Sequence, residues 1–215
     1  MASFIDNKGT IHCSWNKMHG IPHCIPHYFF YWYYPKKHFP VVTDKDQEAR
    51  ELIWHFKDGY CSAQDKVLDM LYKKLYNEFG NNLNKLTFVC IPASTNERHR
   101  IRYQNFMATL CNKTGMKNAF EYIAIAKETE ASHITGVKEL PKYNIDTNFF
   151  CDKQVILFDD IITRGSSISI MKRLLEKAGA NVIAAITIGR TYSDFHGSPR
   201  SPHPWDIDRN ETIEL

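Results

Sequence analysis

The sequence predicts an α/β protein, a mostly parallel twisted sheet flanked by helices, and three observations carry that prediction. From Leu86 onward, short apolar runs alternate with stretches of helical periodicity, the pattern of parallel strands joined by crossover helices. One of those runs, QVILFD, leads into paired carboxylates and a glycine-containing polar turn before the next helical stretch. At 215 residues, with 43% hydrophobic and 24% charged side chains, the chain can bury one sizeable core.

Taken in order, residues 1–43 read as an irregular appendage rich in His, Cys and aromatic residues, closing on YFFYWYYP, and residues 44–215 as the α/β domain. Asp44 can cap a helix reaching Lys57, with Ala49, Leu52, Ile53 and Phe56 on one face. Ser62 and Asp65 open a second helix, whose apolar stripe is Val67, Leu68, Leu71 and Leu75. LTFVCI is the first core strand, Phe106, Met107 and Leu110 mark the helix after it, and AFEYIAIA is the second strand. From Lys127 a long polar stretch shows neither helical nor strand periodicity, and such a loop inside a domain is functional or mobile. QVILFD is the third strand. Ser166 or Ser167 opens a helix carrying Ile170, Met171, Leu174 and Leu175, VIAAITIG makes the fourth strand, and the tail from Arg190 is loop-like.

A formal charge of +3 makes no strong electrostatic case for nucleic acid or an anionic membrane. No run approaches the roughly 18 apolar residues of a membrane helix, and MASFIDNKGTIHC lacks the pattern of a signal peptide. Cys13, Cys24, Cys61, Cys90, Cys111 and Cys151 are scattered, which suits reduced thiols. A cytoplasmic protein is expected, with a homodimer left open.

The chemistry concentrates at Asp159 and Asp160, followed by Thr163, Arg164, Gly165, Ser166 and Ser167 at a helix start. A helix amino terminus offers unpaired N–H groups and positive dipole, hydroxyls add donors, and Gly165 lets backbone approach a phosphate closely. Two acids beside an anion loop would repel the phosphate itself, so they suit sugar hydroxyls or a hard cation. Together they describe a cradle for ribose 5-phosphate. Neither GxxxxGK[ST] nor GxGxxG is present, which disfavours a nucleotide-dependent kinase or dehydrogenase.

An apolar strand, two aspartates, two apolar residues and TRGSS resemble the signature by which type I phosphoribosyltransferases bind phosphoribosyl pyrophosphate (PRPP). IPASTNERHRIRYQNFMATL, with Arg102 and Asn105, and ELIWHFKDG are similar to segments of the ComF-like branch of that family. The resemblance implies a type I phosphoribosyltransferase fold and transfer of the phosphoribosyl group to a nitrogen acceptor, with pyrophosphate released. By residue, it places the 5-phosphate on Thr163 to Ser167 and pyrophosphate on Ala93, Ser94, Thr95 and Arg102. It gives the ribose and, directly or indirectly, Mg²⁺ to Asp159 and Asp160. The stretch from Lys127 matches a catalytic lid by position, with Lys127 or Lys138 bringing charge to the leaving group and Thr129 and His133 in the same stretch. The alternative is a non-catalytic PRPP-binding regulatory or DNA-uptake accessory protein, because fold does not fix function.

Many ComF-like proteins begin with a four-cysteine zinc module, and this chain has no CxxC pair. His12, Cys13, His19, His23, Cys24 and His27 leave mixed N/S zinc ligation open, at a non-standard spacing. The other reading of this region is an aromatic flap, residues 28–34, over the sheet edge or the acceptor pocket.

Overall fold

The computed structural model describes residues 3–17, 25–127 and 142–192. A short hairpin of β1 (Phe4–Ile5) and β2 (Ile11–His12) comes first, then β3 (His27–Tyr33). Two helices follow, α1 (Asp44–Lys57) and α2 (Cys61–Phe79), before β4 (Leu86–Cys90), α3 (Asn96–Thr114) and β5 (Lys117–Asn118). Next come β6 (Ile123–Lys127), β7 (Lys142–Ile145) and the single turn α4 (Thr147–Phe150). The chain then forms β8 (Gln154–Ile162), α5 (Ser166–Lys177) and β9 (Asn181–Thr191).

Five strands pair in parallel in the order β3-β9-β8-β4-β5. Every residue of β4 is buried, as expected of a central parallel strand covered on both faces. On one face lie α1, α2 and α3, whose Ile53, Phe56, Leu71, Leu75, Tyr103 and Phe106 pack with Phe88, Phe158 and Ile186 of the sheet. On the other face, Ile168, Met171 and Leu175 of α5 and Phe150 of α4 pack with Val89, Leu157 and Ala185.

The order of connection sets the position of the site. From β4 the chain crosses through α3 to β5 on one side, whereas from β8 it crosses through α5 to β9 on the other. Because α3 and α5 cover opposite faces, the connections after β4 and β8 diverge and leave a crevice at the carboxyl ends of these two neighbours. Ligands of open parallel sheets bind at such a switch in strand order.

Several elements differ from expectation. The aromatic run read as irregular is the edge strand β3, whose register on β9 runs from His27 opposite Ala185 to Tyr33 opposite Thr191. Its aromatic side chains favour a pleated, half-buried surface, and Tyr28, Phe30 and Tyr31 pack on the α1–α3 core. The hairpin is docked too: Ile11 donates its N–H to Gln154 Oε1 at 2.6 Å, and Gln154 Nε2 donates to the Gly9 carbonyl at 2.9 Å.

AFEYIAIA supplies not a strand of the central sheet but β6, which pairs antiparallel with β7 in a separate ribbon. Its burial alternates, with Ile123 and Ile125 buried and Ala124 and Ala126 exposed, as in a strand with one face to solvent. The partner β7 lies inside the stretch expected to lack periodicity, and the place beside β4 is taken by β5. The second helix starts at Cys61 after Tyr60, without a side-chain cap, so Ser62 lies inside its first turn and Asp65 just beyond it.

Two contacts fix β3 to its surroundings. Buried Arg50 of α1 donates to the carbonyls of Tyr34 at 2.6 Å and Phe39 at 2.5 Å, fastening the chain as it leaves β3. Gly189 of β9 leaves no room for a side chain, since a Cβ there would lie 2.8 Å from Ile53 Cδ1 and 3.4 Å from Tyr33 Cβ.

Candidate functional site

Strand β8 delivers two carboxylates to the crevice, and its alternation sends them to opposite faces. Phe158 and Asp160 face the α1–α3 layer, while Leu157 and Asp159 face the other. Asp160 is buried and compensated: Arg102 of α3 donates from Nη1 to its Oδ2 at 2.6 Å, and Lys57 Nζ of α1 lies 3.4 Å from its Oδ1. Arg102 also donates from Nε to the Lys57 carbonyl at 3.2 Å, so one guanidinium joins both helices to the strand. Burial alone would depress the Arg102 pKa, but Tyr103 and the negative charge of Asp160 outweigh it and raise it.

Asp159 is in a different situation. It is half-buried, its Oδ1 accepts the Asp160 N–H at 2.9 Å, and its carboxyl is pushed well above the usual range by burial first and by the charge of Asp160 second. Tyr143 of β7 faces it from the ribbon, and burial together with the Asp159 charge moves that phenol up to about 12. Asp159 therefore retains acceptor capacity toward the crevice, which Asp160 has largely given to Arg102 and Lys57.

The turn after β8 opens α5. Gly165 adopts φ 73° and ψ 7°, a left-handed conformation that costs glycine little, and no side chain caps the helix. Its first amides are thereby available to an anion in a way a Ser or Asp cap would prevent. Thr163 and Arg164 are exposed, Ser166 is half-buried and Ser167 exposed, and Thr163 Oγ1 lies 2.9 Å from Thr191 Oγ1 at the end of β9.

The neighbouring turn follows β4. The Ile91 N–H donates to the Phe158 carbonyl at 2.8 Å, extending the β4–β8 ladder by one residue before the chains part. Ala93, Ser94 and Thr95 are half-buried; Thr95 caps α3 by accepting the Arg98 N–H at 3.2 Å, and Ser94 Oγ accepts from Arg98 Nη1 at 3.3 Å. A second helix amino terminus thus opens at the same end of the sheet.

The structure brings Asp159, Asp160 and the two turns to one end of the sheet, with Arg102, expected at the pyrophosphate, paired to Asp160. Lys127 is not on a core strand; it ends β6, opposite Lys142 across a β-bulge. Thr129, His133 and Lys138 lie outside the described residues. Lys57 and Tyr143 had been given no role, although the Lys-Asp-Gly end of α1 was a visible feature of the sequence.

Of the amino-terminal His and Cys residues, His12 Nε2 lies 2.9 Å from Asp6 Oδ2, Cys13 is moved up to about 12 by burial, and His27 Nε2 lies 3.1 Å from Thr187 Oγ1 inside the sheet. His19, His23 and Cys24 lie outside the described residues. Among the described residues no group of three or more His, Cys, Asp or Glu could hold a metal ion. No helix among them is long and apolar enough to cross a membrane.

A parallel five-stranded sheet with helices on both faces and an acidic pair at its switch point defines an α/β protein consistent with a type I phosphoribosyltransferase-like fold. No protein-family model matches the chain. It is similar to competence protein ComFC of Streptococcus pneumoniae, 29% identical over 141 residues, 63% of this chain and 62% of that protein. The chain therefore spans less than two thirds of that relative's length.

Proposed function

We propose that the protein is a phosphoribosyltransferase, binding PRPP with Mg²⁺ and transferring its phosphoribosyl group to a nitrogen acceptor. One observation carries this reading: a carboxylate with free acceptor capacity, Asp159, and an uncapped helix start at Gly165 share the connection after β8 at the β4–β8 crevice. In this assignment the Gly165 turn and the first amides of α5 hold the 5-phosphate, and Thr163 and Ser166 add hydroxyl donors. Asp159 accepts from the ribose hydroxyls. The turn at Ala93 to Thr95, with the start of α3, faces the pyrophosphate.

The acceptor nitrogen forms its bond to C1 as the bond from C1 to the pyrophosphate oxygen breaks. The electron pair leaves with pyrophosphate, and any proton on the nitrogen passes to solvent. Positive charge developing on the sugar would be stabilised by Asp159 in its ionised form, and the oriented turns hold the reacting ends in line. Lys127, at the end of β6, is the candidate cation for the leaving group. The acidic pair fits a hard cation, and since Arg102 and Lys57 occupy Asp160, Asp159 is the residue that would hold Mg²⁺, directly or through ribose hydroxyls. When bound, the ion neutralises diphosphate charge.

The test is calorimetric titration of PRPP with and without Mg²⁺, followed by an acceptor screen that detects pyrophosphate. A folded protein with no measurable PRPP affinity removes the reading. A second reading, a PRPP-binding accessory protein without turnover, is favoured by the internal pairing of Asp160 and by the similarity to a competence protein. PRPP binding without turnover across a broad screen of purines, pyrimidines, ammonia and small amines would select it.

A further inference from the structure

We infer that Phe29, Trp32 and Arg190 form a subsite for a planar heteroaromatic carboxylate beside the cradle. This deepens the phosphoribosyltransferase reading and rests on it for the ligand's role as acceptor, though not for its binding. Arg190 lies near the end of β9, opposite Ile162 of β8 on one side and Trp32 of β3 on the other. The next residue, Thr191, is the one 2.9 Å from Thr163, so Arg190 sits on the strand beside the cradle turn, its guanidinium toward the rings of β3. Its Cζ is 5.9 Å from the Phe29 ring centroid and 5.5 Å from that of Trp32. Those two rings meet edge to face with centroids 4.9 Å apart, and Tyr192 approaches Trp32 edge-on at 5.8 Å.

The cluster is chemically incomplete. Arg190 is half-buried, and among the described residues it has no carboxylate partner. A guanidinium held partly out of water, its pKa lowered by that burial, ordinarily pairs with an anion, and ring faces compensate its charge only in part. Trp32 Nε1 is buried without a hydrogen-bond partner among the described residues, and so is Nδ1 of His27, whose ring stacks near Phe29 at 6.2 Å. Buried polar atoms are normally satisfied, so an orphaned indole beside a guanidinium without a carboxylate partner sets this cluster apart.

The complement of this set is specific. Aromatic faces call for a flat ring, and the planar fork of five N–H donors matches a carboxylate bidentately. Inorganic phosphate would satisfy the fork and ignore the rings. A neutral base would stack and leave the charge uncompensated.

The experiment compares matched pairs on the full chain, nicotinate against nicotinamide and orotate against uracil, by calorimetry or ligand-observed NMR. The carboxylate member should bind at least about 10-fold tighter, as for a charge-assisted bidentate contact. Arg190→Gln should erase that preference, and Trp32→Phe should weaken both members of a pair by a similar, smaller factor. Equal binding of charged and neutral members to the unaltered protein overturns the proposal without any variant, as does a preference that survives Arg190→Gln. PRPP titrated on the same preparation separates the two claims. If PRPP binds and no ring carboxylate does, the subsite fails and the cradle stands; ring carboxylate binding without PRPP binding leaves the subsite and removes the cradle.

Discussion

Arg102 of α3 and Asp160 of β8 are joined at 2.6 Å, 58 positions apart in sequence, by a contact that ties a helix layer to the middle of the sheet. Asp159, the next residue, takes no part in it. The two acids of one short motif are therefore electrostatically unequal: Asp160 is held ionised between Arg102 and Lys57, whereas burial and the charge of Asp160 favour the protonated form of Asp159, the acid left open to the crevice.

From this inequality, the two aspartates should separate in mutation. Asp160→Ala leaves half-buried Arg102 without its acid, and since breaking a fully buried pair costs on the order of 3–5 kcal/mol, a loss of up to about that size should be readable in urea denaturation. Asp159→Asn should leave stability within about 1 kcal/mol and weaken PRPP by roughly 1.5–3 kcal/mol, the value of hydrogen bonds to a charged acceptor. Unchanged PRPP affinity in folded Asp159→Asn would show that this carboxylate does not face the ligand.

Gly165→Val tests the cradle. A branched side chain at φ 73° is strained by about 1–2 kcal/mol and projects where the phosphate must approach. Competition by ribose 5-phosphate should be lost while the far-ultraviolet circular dichroism stays that of the wild type. A variant that still binds ribose 5-phosphate normally would place the anion elsewhere.

Two buried histidines should make the fold sensitive to acid. Burial, reinforced by Arg190 for His27 and by Arg102 for His99, lowers them from 6.5 to about 3 and about 4. The folded state keeps both neutral while the unfolded chain protonates them near 6.5. Their contribution is thus complete above about pH 6.5 and is lost as pH falls toward 4, by about 1.4 kcal/mol per unit for each histidine. Urea midpoints between pH 7.5 and 5 should fall accordingly, and His99→Gln should flatten the profile. The same slope in the variant would mean that His99 titrates normally.

Lys127→Ala addresses turnover. A cation that meets the leaving group only as the bond breaks lowers kcat without weakening the substrate, so kcat should drop about 100-fold with PRPP affinity nearly unchanged. Once an acceptor has been found, single-turnover kinetics decides. Intact turnover would leave catalysis standing and remove Lys127 from it.

The sequence made the central strands and crossover helices legible for a physical reason. LTFVC and QVILF are continuous apolar runs, as strands covered on both faces must be, and Leu52, Ile53, Phe56 and Leu71, Leu75 keep helical spacing. The ribbon was misread because a short apolar run states that it is a strand without naming its sheet, although the alternation of Ile123 and Ile125 with exposed alanines pointed to one solvated face. The strand of β3 was hidden among prolines and histidines, though its aromatic content argued for a pleated surface. Residue types and order revealed the acid pair and the glycine turn. That Asp160 would be tied to Lys57 and Arg102 followed only from which helices pack on its face, a long-range outcome invisible in local spacing.

The first strand of the sheet along the chain has its partner in the last. His27 pairs opposite Ala185, about 160 residues later, and among the described strands β3 bonds to no other. During synthesis HYFFYWY therefore leaves the ribosome long before β9 exists, an unpaired aromatic edge of strong strand propensity. Closing that distance is entropically slow, and in the interval the segment is open to wrong pairings with other chains. Biogenesis of this protein should depend on how well that one stretch is shielded until β9 emerges.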